Sequence, residues 1–146
     1  MKTMHHDINL KTGEPEDGVE FYKFIPRDME ELYWALKKEN LKGELEMKDG
    51  WLIWRLPNNI ILKISIWNPP HEGYIDTYYL ENGREKPLTH WHPMDEELYA
   101  DLMDINNGWT IWVKKKTLFG ENIIIMDRVK YEAMSEKEKR KLSLLE

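Results

Sequence analysis

Three short blocks of this sequence occur twice, in the same order along the chain. They are residues 30–36 and 96–102 (EELYWAL and EELYADL), 50–54 and 108–112 (GWLIW and GWTIW), and 59–62 and 122–125 (NIIL and NIII). Internal repetition constrains the fold more than any single segment does, because each copy has to form the same supersecondary unit. We therefore interpret the chain as two tandem units, each consisting of a strand, a helix and a hairpin.

This repeat predicts an α+β fold in which the two units form one antiparallel sheet, of about six to eight strands, with helices on one face. Ser135 followed by Glu138 is a capping-box pattern, which predicts an additional C-terminal helix. The predicted organisation is a polar N-terminal segment at 1–18, a single domain at 19–134 with an internal pseudo-repeat (19–68 and 74–130), and a C-terminal helix at 135–146.

The composition is typical of a small soluble protein and excludes several classes. No cysteine is present in the 146 residues, so disulfides, thiol nucleophiles and thiolate zinc sites are excluded. Residues 1–9 lack the apolar core of a secretory signal, and no apolar run approaches the ~20 residues of a membrane span. We expect a cytoplasmic protein without a membrane partner.

The charge balance argues against nucleic acid as a partner. The chain has 27 acidic and 21 basic residues, a formal charge of −6, whereas nucleic-acid affinity depends largely on Lys and Arg neutralising phosphates. The basic residues within 114–116 and 137–141 are interpreted as solvated surface. The sequence contains no glycine-rich phosphate loop and no Gly-x-Ser-x-Gly elbow.

The loop of one predicted hairpin determines which tryptophans face outward. We expect Asn58 and Asn59 to form a two-residue loop, because Asn tolerates the positive φ that such loops require. The pairing that follows places Trp51 on the face that the helices cover and Trp54 on the other face. Trp112 occupies the equivalent position in the second repeat, so the two units would share a paired aromatic surface.

Four tryptophans have no obvious place in the predicted core, and they are the candidate partner-binding residues: Trp54, Trp112, Trp67 and Trp34. Tryptophan is favoured at recognition surfaces because it brings a large, rigid contact area. An alternative is that the N-terminal segment, the C-terminal helix or a second chain covers this face, and a homodimer satisfies both interpretations. The leading hypothesis is a small binding protein, without cofactor or enzymatic activity, that uses an aromatic sheet face to bind a protein partner or itself.

Two histidines close to an aspartate are the strongest candidates for chemistry. Residues two apart on a strand point to the same side, so His90 and His92 could reach one divalent metal such as zinc. Asp95 or His71 would supply a third ligand. The segment resembles the His-x-His-x-Asp-His motif of metallo-β-lactamase-type hydrolases, but it has two residues before Asp95 and no His after it. The resemblance implies a metal-dependent hydrolase or metal-binding module, and the competing interpretation is that backbone or water satisfies both imidazoles.

A third hypothesis is a small-molecule pocket between the two units, lined by Tyr78, Trp91 and Trp67. Aromatic side chains are common in the walls of such pockets. No residue in the sequence indicates a particular ligand.

Overall fold

The computed structural model describes residues 24–67 and 72–146, apart from the side chains of Asp95 and Glu96. The predicted polar segment at 1–18 lies outside these residues. The helices and strands, in chain order, are α1 (Met29–Lys37), β1 (Glu44–Lys48), β2 (Trp51–Arg55), β3 (Ile60–Trp67), β4 (Glu72–Glu81), β5 (Arg84–Trp91), α2 (Asp95–Asn106), β6 (Thr110–Thr117), β7 (Gly120–Asp127), α3 (Arg128–Glu132), α4 (Glu136–Lys139) and β8 (Leu142–Leu145). None of these helices, within the described ranges, is long and apolar enough to cross a membrane.

The strands form two antiparallel sheets. Five strands lie in the order β1-β2-β3-β4-β5, and three lie in the order β7-β6-β8. The larger sheet belongs to a compact unit that ends at Ala100, and the smaller sheet belongs to a second unit that contains residues 101–146. The predicted α+β class with antiparallel strands is confirmed. The prediction of one continuous sheet is wrong, because β6 pairs with β7 and β8, and the tandem strand-helix-hairpin arrangement stays a prediction.

The sequence predicts a helix that starts after Asp28, because Asp is a favoured capping residue and Glu30 and Glu31 would lie in the first turn. Helix α1 begins there. The Oδ1 atom of Asp28 accepts a hydrogen bond from the Glu31 N–H at 2.8 Å. Glu30 and Glu31 lie in the first turn, near the positive end of the helix dipole. Leu32 and Leu36 are fully buried, and the helix contacts β2. The apolar stripe of α1 therefore covers part of the larger sheet.

The loop between β2 and β3 is one residue longer than the sequence predicts. The Leu56 N–H donates to the Ile60 carbonyl at 2.9 Å, which leaves Pro57, Asn58 and Asn59 in the loop. Asn59 has a φ of 68°, the left-handed conformation that a three-residue hairpin loop requires at its last position. The extra residue shifts the pairing of the two strands by one position.

This shift reverses the two faces of β2. Trp54 pairs with Leu62, and Ile53 pairs with Lys63. Successive side chains on a strand point to opposite faces, so a one-residue shift moves every side chain to the other side of the sheet. Trp54 therefore lies on the helix-covered face and Trp51 on the opposite face, which is the reverse of the prediction.

Trp54 and Trp112 are core residues. Trp54 is 0% exposed, and its Nε1–H donates to the Lys42 carbonyl at 2.7 Å. Trp112 is 2% exposed, and in the described part of the chain its Nε1 has no hydrogen-bond partner. The prediction that both rings emerge on an exposed sheet face is wrong. The register shift turns Trp54 inward, and both faces of β6 are buried around Trp112, since Ile111 and Val113 are buried as well.

One face of the larger sheet is buried. Its fully buried side chains are Leu52, Trp54, Ile60, Leu62, Ile64 and Ile75. The start of α2 lies against this same face, because a Cβ atom on Gly73 would be 2.7 Å from Leu98 Cδ1. Gly73 is two residues from Ile75 and so points to the same side of β4. The missing side chain at Gly73 is what allows Leu98 to approach the sheet.

The C-terminal segment is a short helix followed by a strand. The predicted capping box is present, and the Glu138 N–H donates to Ser135 Oγ at 3.2 Å. The helix ends at Lys139, however, and Leu142–Leu145 pairs with β6. The prediction of a helix through residue 146 is wrong, because this segment satisfies the backbone groups of β6 on the side away from β7.

The connection between β6 and β7 is shorter than predicted. Thr117 pairs with Gly120, so the loop contains only Leu118 and Phe119. The sequence predicts strands at 109–114 and 122–128, joined by a longer loop through Phe119 and Gly120.

Candidate functional site on the larger sheet

The side of the five-stranded sheet opposite Trp54 carries the candidate site, and we call it the outer face. Its side chains alternate with the buried ones along each strand. They are Glu44, Glu46 and Lys48 from β1, Trp51, Ile53 and Arg55 from β2, Ile61, Lys63, Ser65 and Trp67 from β3, Glu72, Tyr74, Asp76, Tyr78 and Leu80 from β4, and Glu85, Pro87 and His90 from β5. Two of these outer-face residues, Ile61 and Ser65, are themselves buried. The outer face therefore combines aromatic side chains with charges of both signs.

Four rings form a continuous row at one end of the outer face. The ring centroids of Trp67 and Tyr74 are 5.4 Å apart, those of Tyr74 and His92 are 4.3 Å apart, and those of His92 and His90 are 5.4 Å apart. Contacts between tilted or perpendicular rings hold the rings in defined orientations. Trp67 is 59% exposed, so the largest ring of this aromatic row (Trp67, Tyr74, His92 and His90) presents most of its surface to solvent.

A groove of about 370 Å³ lies on the outer face beside the turn between β1 and β2. It is lined by Lys48, Asp49, Trp51, Ile53, Lys63, Asp76 and Tyr78. Lys63 Nζ is 2.8 Å from Glu85 Oε1 and 4.6 Å from the centre of the Tyr78 ring. The ion pair and the cation–π contact hold the ammonium group in place. The groove thus combines the ammonium group of Lys63 with aromatic and aliphatic side chains and with the charges of Lys48, Asp49 and Asp76.

The charged pairs of the outer face lie close to solvent. Arg55 Nη1 is 2.7 Å from Glu46 Oε1, and both side chains are about half exposed. The hydrogen bond from Arg55, together with its positive charge, lowers the pKa of the Glu46 carboxyl. Surface pairs of this kind contribute little to stability, but their arrangement influences which partner fits.

The predicted partner-binding tryptophans are found in different places. Trp67 lies on the outer face, whereas Trp54 and Trp112 are buried. Trp34 lies on α1, is 56% exposed, and its ring packs edge-on against that of Tyr33. Trp34 and Trp54 belong to the same compact unit as Trp67, but neither lies on the outer face with it.

The sequence reasoning missed Tyr74 and Trp51 on the outer face. A signal for Tyr74 is present in the sequence, because the buried Gly73, Ile75 and Thr77 alternate with more polar positions in β4. No equally direct signal exists for Trp51, since its orientation depends on the loop length of the hairpin.

The two histidines of the predicted metal site lie together. His90 and His92 are both exposed, and His90 pairs with Asp76 on the neighbouring strand. His71 and the side chain of Asp95 lie outside the described part of the chain. Among the side chains that are described, no group of three or more His, Cys, Asp or Glu could hold a metal ion.

The residues of the predicted small-molecule pocket do not share one side of the sheet. Tyr78 and Trp67 lie on the outer face, whereas Trp91 pairs with the buried Ile75 on the other face. The prediction that these three rings line one pocket is wrong, because adjacent strand positions point to opposite faces.

Comparisons of the chain with protein families, with curated proteins and with solved structures find no match.

Proposed function

We propose that this chain is a small binding protein whose outer face recognises a protein, either a different partner or a second copy of the same chain. The observation that carries the proposal is the aromatic row, in which the 59% exposed Trp67 is held against Tyr74 on a sheet face that also contains a groove. Exposed aromatic rings of this size on an ordered scaffold are typical of residues that dominate binding energy.

The aromatic row suits recognition because its rings are already ordered. Association costs free energy when flexible side chains are immobilised, at roughly 0.5–1.5 kcal/mol for each rotamer-rich side chain. Trp67 contacts Tyr74, and Tyr74 contacts His92, so little further ordering is needed on binding. Most of the area that Trp67 exposes can then contribute to affinity.

The groove supplies the polar part of the proposed interface. Lys63 and Glu85 form an ion pair at its border, and Asp76 is the pairing neighbour of Lys63 on β4. Charges of both signs around apolar walls favour a partner with a complementary arrangement. This mixed composition fits a protein surface better than a polyanion, which would need predominantly basic residues.

Replacing Trp67 and Tyr74 with alanine is expected to weaken association at least about tenfold, because truncation of such anchors commonly costs 2 kcal/mol or more. Both side chains lie on the outer face, so the far-ultraviolet circular dichroism spectrum should not change. Self-association is measured by sedimentation equilibrium, and binding to a different protein by quantitative capture on immobilised chain.

Trp34→Ala is the matched control, because Trp34 is 56% exposed and Trp67 is 59% exposed, but Trp34 lies on α1. The control should associate like the unmodified chain. If the Trp34 variant loses association and the Trp67/Tyr74 variant keeps it, the binding surface is on α1 and the proposal fails.

A zinc titration separates this proposal from metal binding at His90 and His92. We expect no stoichiometric binding at micromolar zinc, because no described side chain completes a group of three metal ligands with the two imidazoles, and a site of two ligands is weak. The titration is followed by calorimetry on the unmodified chain and on His90→Ala. Stoichiometric binding that disappears in the variant would favour the metal-dependent alternative.

A further inference from the structure

The turn between β6 and β7 exposes two large apolar side chains. Leu118 is 98% exposed and Phe119 is 100% exposed. The turn itself is ordered by Thr117, whose Oγ1 donates to the Gly120 carbonyl at 2.8 Å and accepts from the Phe119 N–H at 3.3 Å. We call Leu118 and Phe119 the apolar tip.

The fold gives no reason for apolar residues at this position. Two-residue hairpin loops favour Asn, Asp and Gly, because their backbone adopts positive φ easily. Neither Leu118 nor Phe119 buries enough surface to add to stability, since both are almost completely exposed. A contiguous exposed apolar feature of this kind indicates an interaction site.

Basic residues surround the base of the apolar tip. Lys115 and Lys116 lie at the end of β6, and the Lys116 N–H donates to the Lys141 carbonyl at 3.5 Å. Arg140 precedes Lys141 in the chain, and all four residues are exposed. We call them the basic collar. The β6–β7 hairpin also carries two acidic residues: Glu121, which pairs with Lys116, and Asp127 at the opposite end from the turn.

The basic collar contrasts with the charge of the rest of the chain. Residues 101–146 contain nine basic and eight acidic residues, whereas residues 1–100 contain 12 basic and 19 acidic residues. Four of those nine basic residues belong to the collar. An otherwise acidic chain therefore presents a local positive potential at the apolar tip.

We propose that the apolar tip inserts into the surface of an anionic lipid membrane, with the basic collar contacting the headgroups. An anionic bilayer offers an apolar interior and negative charge a few ångströms apart. The apolar tip matches the interior, and the basic collar matches the charge. A nucleic acid offers the charge without the apolar interior. An apolar protein pocket does not account for the basic collar.

This inference concerns a different surface from the outer face and does not depend on the proposed protein binding. It also departs from the expectation, based on the sequence, that no membrane partner exists. That expectation was based on the lack of a membrane-spanning segment. The sequence also predicted that Leu118 and Phe119 lie in a longer loop, so it did not indicate that both are exposed at a tight turn.

The test is cosedimentation of the full chain with vesicles of phosphatidylcholine alone or with about 30 mol% phosphatidylserine. We expect binding to the anionic vesicles only. Leu118→Ser combined with Phe119→Ser should weaken it about tenfold or more, because the apolar contribution is removed. Lys115→Gln combined with Lys116→Gln should weaken it severalfold, and added salt should do the same.

Two control variants separate the tip from general effects. Lys37→Gln combined with Lys38→Gln removes the same charge from exposed positions on α1, and it should bind anionic vesicles like the unmodified chain. Trp34→Ala removes an exposed ring from α1, outside both proposed surfaces, and should also bind normally. Circular dichroism verifies that the tip variant folds. We expect it to fold because the side chains of Leu118 and Phe119 are almost completely exposed.

Absence of binding to anionic vesicles would overturn the proposal, and so would a tip variant that binds as well as the unmodified chain. If the Lys37/Lys38 variant loses as much vesicle binding as the Lys115/Lys116 variant, the effect of charge is general, and this result would also contradict the proposal. A third result would also overturn the lipid assignment: the unmodified chain self-associates but does not bind vesicles, and the tip variant no longer self-associates. The apolar tip would then bind a protein pocket.

Discussion

Replacing Trp54 with alanine is expected to lower the free energy of unfolding by about 3–5 kcal/mol, the range for removing a large aromatic side chain from a core. Trp54 is 0% exposed, pairs with Leu62 in β3, and donates a hydrogen bond to the Lys42 carbonyl at 2.7 Å. The variant loses the packing of the ring and also this hydrogen bond. Urea denaturation followed by circular dichroism measures the change.

Trp67→Ala is the matched control, because it makes the same substitution at a 59% exposed position. It should lower the free energy of unfolding by about 1 kcal/mol or less, as expected for a surface side chain. Trp54→Phe should fall between the two, since it keeps most of the volume and loses the donor. Equal costs for Trp54→Ala and Trp67→Ala would contradict the hairpin register described above.

Gly43→Ala should destabilise the chain by about 3 kcal/mol, through backbone strain and a steric clash together. Gly43 has a φ of 76°, and a Cβ atom there would be 1.9 Å from the Arg55 carbonyl oxygen. That oxygen belongs to the backbone of β2, which cannot move aside without breaking its pairing with β3. Thermal and urea unfolding measure the loss.

Gly50→Ala separates the backbone strain from the steric clash. Gly50 has a φ of 82°, but no described atom beyond Gly50 and its two chain neighbours lies within 4 Å of the position that its Cβ would occupy. We therefore expect this variant to lose only about 1–2 kcal/mol, the cost of the left-handed conformation for a residue with a side chain. If Gly43→Ala costs no more than Gly50→Ala, the close approach of residue 43 to β2 is not present in solution.

Local chemistry made several elements predictable from the sequence. The turn at Asn82 and Gly83 is present, and both residues have positive φ, as a two-residue hairpin loop requires. Helix α1 starts at its predicted cap, Asp28, and the capping box of Ser135 is present. In each case the residue types that favour the structure act within a few positions of each other.

The orientation of β2 could not be predicted in the same way. A loop of two residues and a loop of three are both compatible with the residues Pro57, Asn58 and Asn59. The hydrogen bond from the Leu56 N–H to the Ile60 carbonyl identifies the loop of three. The length of this loop decides which of Trp51 and Trp54 is buried. It is settled by packing across the whole sheet, and tryptophan is apolar enough to suit either face.

Contacts that are distant in sequence explain the remaining errors. Leu142–Leu145 follows a good helix cap, but it pairs with β6, about thirty residues earlier in the chain. The aromatic row brings Trp67, Tyr74 and His92 together from three separate segments. Four residues of the candidate site were named from the sequence, namely Trp67, Tyr78, His90 and His92. No local pattern indicates that the rings of the aromatic row meet.

The most direct test of the recognition surface is site-specific photocrosslinking from two positions of similar exposure. A benzoylphenylalanine at position 67 reports on the outer face, and one at position 34 reports on α1. The proposed function predicts a covalent adduct, either a dimer of the chain or a complex with its partner, from position 67 and none from position 34. An adduct from position 34, with none from position 67, would contradict it.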